Sequence, residues 1–152
     1  MSPNHLVKNR RTELGLEEFQ VATAAGFSLE EYGDIELHPS ELTSTIELSR
    51  VKRLCEVLGL PITALFELPT SAPSAEEVTL GRKSLADLRR AKGWSVQQLA
   101  EELGMEEWVI GRIEADESAI DQWPFDFAAG YAEQIGLPVT RFMSIYKKQA
   151  RN

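Results

Sequence analysis

The sequence contains two copies of one pattern, and this internal repeat constrains the fold more than any other feature. Residues 54–66, LCEVLGLPITALF, match residues 131–143, YAEQIGLPVTRFM, with Glu, Gly, Leu, Pro and Thr at identical places. Upstream, residues 11–36 align without gaps on residues 89–114. We therefore expect the same succession of elements twice along the chain.

A short segment rich in small and turn-forming residues separates the copies. Residues 68–83 read LPTSAPSAEEVTLGRK, a composition that neither packs a core nor propagates a helix well. The sequence predicts a first domain over residues 1–68, a linker over 69–83 and a second domain over 84–152.

Each copy shows the signals of short helices and few of strands. A serine followed three residues later by an acid or amide suits a helix N-terminus, because its hydroxyl accepts a bond from a free backbone N–H. Pro61 and Pro138 suit the first position of a further helix, and Gly59 and Gly136 suit the turn before it. The prediction is an all-α fold with five helices in each copy. The serines with this pattern are Ser28, Ser44, Ser84 and Ser95.

The charge balance limits the class of partner. The chain carries 24 acidic and 16 basic residues, a formal charge of −8, which opposes nonspecific attraction to nucleic acid but allows a locally basic site. The single cysteine, Cys55, forms no internal disulfide, and neither a signal-peptide pattern nor a membrane-spanning apolar run is present. A protein of the cytoplasm with no membrane partner is expected.

No motif in the sequence predicts catalysis. His5 and His38 stand without a Cys or a second His at ligand spacing, so no metal site is predicted. No Ser, His and acid set, phosphate loop or glycine fingerprint occurs in the sequence. We expect neither a cofactor nor enzymatic activity.

Small residues recur at matching places in the two copies: Ala22 and Ala100, then Gly26 and Gly104. A small residue allows two helices to cross closely, and glycine readily adopts the positive φ of a tight turn. On these residues, and on LADLRRAKGWSVQQLAEELGMEEWVIGRIE over residues 85–114, each copy resembles the Cro/lambda-repressor-type helix-turn-helix domain, also called XRE-like. The resemblance covers roughly residues 6–67 and 84–146 and implies two tandem domains of this type.

The resemblance also implies a structural ion pair in each copy. An arginine on the first helix of the family commonly pairs with a glutamate at the end of the third. Arg11 and Glu36 occupy these positions in the first copy, and Arg89 and Glu114 occupy them in the second. Such pairs are partly buried, so losing one member should cost more than the ~0.2–1 kcal/mol of a surface pair.

The positions at which the family reads DNA are acidic in the first copy. Ser28, Leu29, Glu30 and Asp34 fall at base-reading positions, and Glu17 and Glu18 fall where phosphates are met. Carboxylates there repel phosphates, so this copy is predicted not to read bases. Glu30 and Glu31 have an alternative role in a first helical turn, where Glu31 completes a capping box. The candidate partner-binding residues of this copy are Glu17, Glu18, Glu30, Glu31 and Asp34.

The second copy is more compatible with DNA. Its reading positions fall at Glu106, Glu107, Trp108 and Arg112, and its phosphate positions at residues 95–97. The candidate DNA-contacting residues are Gln97, Gln98, Arg112, Arg90 and Lys92. The candidate partner-binding residues of this copy are Glu106, Glu107 and Trp108, with Trp108 either an exposed interface anchor or a core residue.

Aromatic and apolar residues follow in the second copy. Trp123 and Phe125 are predicted to wall the core of a small domain. A last helix is predicted over residues 138–148, with an apolar stripe that serves dimerisation, packs on its own domain or bridges the two copies. The sequence is compatible both with a homodimer and with a pseudo-dimer formed by the two copies within one chain.

Two functions follow from these patterns. The first is a transcription regulator that binds DNA mainly through the second copy. The second is a protein-interaction module, such as an antitoxin, an immunity protein or a DNA mimic, whose acidic faces cover a basic protein partner. The family pattern favours the first, and the charges at the reading positions favour the second.

Overall fold

The computed structural model describes residues 2–66 and 83–137. Regular structure in these ranges is helical, apart from one isolated bridge between Glu47 and Pro124, which confirms the all-α prediction. None of the helices found there is long and apolar enough to cross a membrane. The predicted last helix lies outside the described residues, as does the predicted linker except for Lys83.

The chain divides into two compact units. One comprises Met1–Thr70 and Gln122–Phe125, and the other comprises Ser71–Asp121 and Asp126–Asn152. These bounds differ from the predicted domains at the short segment Gln122–Phe125, which the sequence groups with the second copy.

The first unit is built on six helices within residues 2–66. Helix α2 packs against α3 and α5, and α1 packs against α3. Its core contains Val7, Val21, Tyr32, Ile35 and Val51, all fully buried. The helices are α1 (Pro3–Glu13), α2 (Glu18–Ala25), α3 (Leu29–Leu37), α4 (Glu41–Ser44), α5 (Leu48–Leu58) and α6 (Ile62–Leu65).

Two predicted helix starts in this unit are wrong. Ser44 is the last residue of α4, and the N-cap of α5 is Glu47. Pro61 is the N-cap of α6, whose first residue is Ile62. The short helix α4 also raises the helix count of this copy to six within the described residues, where five were predicted.

The segment Gln122–Phe125 packs within the first unit. The Leu48 N–H at the start of α5 donates to the Trp123 carbonyl at 2.9 Å. The rings of Phe66 and Phe125 stack with centroids 4.1 Å apart and planes 8° from parallel. Trp123 and Phe125 were both expected in a core, but each is only half-buried. The Trp123 carbonyl bonds to the start of α5, and the Phe125 ring stacks on Phe66 at the end of α6.

The helices that follow the first copy are α7 (Leu85–Ala91), α8 (Val96–Leu103), α9 (Glu107–Ala115), a 3₁₀ helix (Glu117–Gln122) and α10 (Phe125–Ile135). Helix α9 packs on α8 and α7. Ser84 and Ser95 cap α7 and α8 as predicted, since their hydroxyls accept bonds from the N–H groups of Asp87 and Gln98, each at 3.1 Å. The core of this unit contains Leu88, Leu99, Ile110, Ile113, Tyr131 and Ile135.

A glycine ends the second helix of each copy and turns the chain into the third. Gly26 has a φ of 80° and Gly104 has a φ of 68°, both in the left-handed region. Since this region strains residues that carry a Cβ, glycine suits the turn. The turn sets the direction of α3 and α9, the third helix of each copy.

Candidate nucleic-acid and partner interfaces

An ion pair holds the end of α3 against α1. Arg11 Nη2 lies 3.0 Å from Glu36 Oε1, and Arg11 Nε lies 3.2 Å and 3.1 Å from the two carboxylate oxygens. The Glu36 side chain is only 5% exposed, and its bond to Arg11 raises the pKa of the guanidinium. Asn4 Nδ2 donates to the Glu36 carbonyl at 3.1 Å. Glu36 is therefore part of the fold rather than of a partner surface.

The corresponding pair in the second unit has the same form. Arg89 Nε donates to the two Glu114 oxygens at 2.9 Å and 3.3 Å, and Arg89 Nη1 donates to the Trp94 carbonyl at 2.8 Å. Both members are nearly buried. The same kind of ion pair thus fixes the C-terminal ends of α3 and α9. The outward faces of these two helices can therefore be compared position by position.

The outward face of α3 is apolar and acidic. At about 100° per residue, Leu29, Glu30, Gly33, Asp34 and Leu37 share an arc of about 140°, opposite the buried side of the helix. Leu29 is 56% exposed and Leu37 is 72% exposed. Of the acids, Asp34 Oδ1 lies 4.0 Å from His38 Nε2, whereas Glu30 forms no ion pair in the part of the chain that the structure describes. No base-reading cation lies on this face.

Glu31, one of the candidate partner-binding residues, also has a structural role. Its carboxylate accepts the Ser28 N–H at 2.9 Å, completing a capping box, and bonds to Arg50 of α5 at 3.0 Å and 3.3 Å. The Arg50 bond and the Ser28 bond hold the pKa of Glu31 at about 2, below its usual value near 4.5. Arg50 also lies 4.3 Å above the centre of the Phe27 ring.

The other two candidate acids lie at the start of α2. Glu17 is the N-cap residue, and its backbone N–H donates to Gln20 Oε1 at 2.7 Å. Glu18 lies in the first turn, with Oε1 3.9 Å from Arg11 Nη2. Both side chains are exposed. They add negative charge at the helix end where a DNA-binding relative of this fold would meet a phosphate.

The outward face of α9 has a different chemistry. The equivalent arc holds Glu107, Trp108, Gly111, Arg112 and Ala115, all exposed. Trp108 is 63% exposed, which excludes the core alternative for this residue. The Arg112 guanidinium, at the position that Asp34 occupies in α3, forms no ion pair within residues 83–137. This face therefore offers one exposed cation, whose charge also helps to lower the pKa of Asp116 at the end of the helix, and one large exposed aromatic side chain.

The remaining candidate DNA contacts are partly engaged with the fold. Gln97 Nε2 donates to Glu101 at 3.3 Å, and Gln98 Oε1 accepts the Ser95 N–H at 3.1 Å. Arg90 Nη1 lies 3.5 Å from Asp87. Lys92 lies over the last turn of α10, since a Cβ added at Gly136 would come within 2.7 Å of Lys92 Cε. Gln97 and Arg90 are exposed side chains that can exchange these partners for a phosphate.

Two features of these faces have no local sequence signal. Arg50 reaches Glu31 from a helix nineteen positions later in the chain, and no motif links the two. Gly33 and Gly111 lie at the same helical position in the two copies, with nothing within 4 Å of an added Cβ among the described residues. The repeat alignment could have paired these two glycines, but it could not have shown that they face outward.

Comparison with known families agrees with the geometry of the second unit. A helix-turn-helix family model matches residues 85–122, a segment that contains α7, α8, α9 and the 3₁₀ helix. The match spans a quarter of the chain and does not include the first copy. No curated protein and no solved structure matches the chain. The match supports a helix-turn-helix regulator in general.

Proposed function

We propose that the chain is a nonenzymatic regulatory protein of the cytoplasm that contacts DNA through α8 and α9, and that α3 takes no part in reading bases. The observation that carries this proposal is Arg112. It is exposed on the outward arc of α9, without an ion pair in the described part of the unit, at the register where α3 carries Asp34.

The start of α8 supports this proposal. Ser95, which caps the helix, is exposed, so the positive end of the helix dipole is accessible, an arrangement that favours a phosphate. Gln97 lies in the first turn beside it and donates from its amide group. The corresponding turn of α2 begins with Glu17 and Glu18. Only the second unit therefore combines an accessible helix end with a cation on the third helix, among the residues that the structure describes.

The test is a titration of a labelled mixed-sequence duplex at low salt. Arg112→Ala should weaken binding by about fivefold to a hundredfold, since an arginine contact is worth about 1–3 kcal/mol. The matched control is Arg53→Ala, which removes the same charge from an exposed position of α5 and should change affinity by less than about twofold. No binding at low salt, or equal effects of the two substitutions, would contradict the proposal.

A second candidate function is favoured by Trp108. Large exposed aromatics anchor protein interfaces, and Glu106 and Glu107 beside it favour a basic protein over DNA. The family position that reads bases would then serve a protein contact. In this second candidate function, the outward face of α9 binds a basic protein instead of DNA.

Photo-crosslinking in growing cells separates the two candidates. A photoreactive phenylalanine analogue is placed at Trp108 and, as a control, at the exposed Glu56 of α5. DNA adducts specific to Trp108 support the DNA-binding function. Protein adducts specific to Trp108, with no DNA adducts, support the interaction module and overturn the proposal.

A further inference from the structure

The middle of α3 holds a glycine that the fold does not require. Gly33 lies inside the helix with an ordinary helical backbone, and an added Cβ would meet nothing within 4 Å in the described residues. Alanine would fit there and would favour the helix more than glycine does. Since neither a positive φ nor a close contact within the unit explains this glycine, its open space is available to another molecule.

Two exposed leucines flank this space. Leu29 and Leu37 lie on the same outward arc, about 12 Å apart along the helix axis, with Gly33 midway between them. Both are more than half exposed. Apolar side chains on either side of a missing side chain form a shallow notch, which allows another helix to approach the backbone of α3 closely. A small residue of a partner helix would fit into this notch.

The charges beside the notch limit the chemistry of the occupant. Glu30 and Asp34 border it on one side. Asp34 lies 4.0 Å from His38, and the nearby Arg50 is bonded to Glu31. DNA is disfavoured because phosphates would face these carboxylates. A second copy of the same face is disfavoured because it would place like charges opposite each other. A helix with lysines or arginines beside a small apolar centre complements both the notch and the charge.

We propose that the outward face of α3 is a docking surface for a basic amphipathic helix of another protein, with a small residue of that helix seated over Gly33 between Leu29 and Leu37. This surface is separate from the DNA contact proposed for α8 and α9. It gives the first unit a binding role that does not depend on whether the second unit binds DNA.

The probe for this surface is a synthetic peptide of about 15 residues, long enough to be helical when bound. It is built from Lys, Leu and Ala so that leucines flank a central alanine on one face, and it is titrated calorimetrically into the full-length protein at low salt. A peptide with Glu at every Lys position is the charge control and should not bind. Binding should weaken as salt rises.

Two sets of substitutions test the notch and the charge separately. Gly33→Leu fills the notch and should raise the dissociation constant at least about fivefold. The double substitution Glu30→Gln with Asp34→Asn should also raise the dissociation constant at least about fivefold, because it removes the negative charge that attracts the peptide. The matched control, Glu102→Gln with Glu133→Gln, removes two charges from exposed positions of α8 and α10 and should change affinity by less than about twofold.

A stability readout separates binding from folding. Gly33→Ala should raise the melting temperature by about 2–4 °C while it weakens peptide binding, because alanine stabilises the helix and partly closes the notch. A fall in melting temperature would show that Gly33 serves the fold and would overturn the proposal. Peptide binding that is insensitive to Gly33→Leu, or self-association of the protein that Gly33→Leu abolishes, would overturn it as well.

Discussion

Arg89 shows how a single buried side chain fixes the end of the third helix of its copy. Arg89 and Arg90 are neighbours on α7, yet Arg89 is buried against Glu114 while Arg90 meets Asp87 at the surface. A buried charge that loses its partner keeps its desolvation cost, whereas a surface charge is screened by water. Neighbouring residues of the same type should therefore differ greatly in their contribution to stability.

We predict that Arg89→Ala lowers the free energy of unfolding by about 3–5 kcal/mol, because Glu114 is left charged and buried. Arg90→Ala should change it by less than about 0.5 kcal/mol. Chemical denaturation of both variants, followed by circular dichroism, measures the difference. Equal destabilisation would mean that the Arg89 and Glu114 pair is not buried as described.

Glu31 gives the first unit a pH dependence of known sign. Its pKa in the folded protein is about 2, below the ordinary value near 4.5 that it has without the bonds from Arg50 and Ser28. A group with a lowered folded pKa stabilises the protein above its unfolded pKa, and this contribution disappears as the pH falls toward the folded value.

We therefore predict that Glu31→Gln destabilises the protein at neutral pH by an amount that shrinks as the pH falls from about 4.5 toward about 2. Thermal melts of the variant and the unchanged protein over this range measure the gap. A gap that stays constant down to the acid limit would show that the bonds from Arg50 and Ser28 do not favour the ionised carboxylate. Arg50→Gln is the control on the partner side of the ion pair. The difference in stability between this variant and the unchanged protein should also shrink as the pH falls toward about 2.

Helix termini separate what the sequence predicts from what only the fold determines. Ser28, Ser84 and Ser95 begin their helices as predicted, because the bond that each serine hydroxyl accepts from the N–H three residues later is local. Ser44 carries the same pattern, but it does not cap a helix and is instead the last residue of α4. The first free N–H of α5, that of Leu48, bonds instead to the carbonyl of Trp123, which is far away in sequence. A local pattern could not predict a helix start that depends on a distant residue.

Loss of a local cap should have a defined cost. We predict that Ser95→Ala destabilises the second unit by about 1 kcal/mol, because the Gln98 N–H loses its acceptor. The same substitution at Ser49, in the first turn of α5, should be close to neutral, since the Ser49 hydroxyl accepts no cap hydrogen bond among the described residues. Urea denaturation of the two variants compares them directly. A larger effect at Ser49 would contradict the assignment of the cap.

At the scale of the whole molecule, one repeated sequence pattern supports two outward faces of different chemistry. The repeat predicted the helical class and the turn glycines, because these serve each copy locally. The family resemblance predicted the arginine and glutamate positions, because their contact is common to the family. The repeat could not predict that Glu31 bonds to Arg50, or that Gln122–Phe125 packs in the first unit, because these contacts have no counterpart in the other copy.

The central claim is that α9 contacts DNA and α3 does not, and two matched double substitutions test it most directly. Glu106→Gln with Glu107→Gln removes two negative charges from the N-cap and first residue of α9, and Glu30→Gln with Asp34→Asn removes two from α3. In a titration of a labelled duplex at low salt, the first pair should tighten binding by about twofold to thirtyfold. The second pair should leave affinity within about twofold of the unchanged protein. Tighter binding from the substitutions in α3, or no change from those in α9, would contradict the claim.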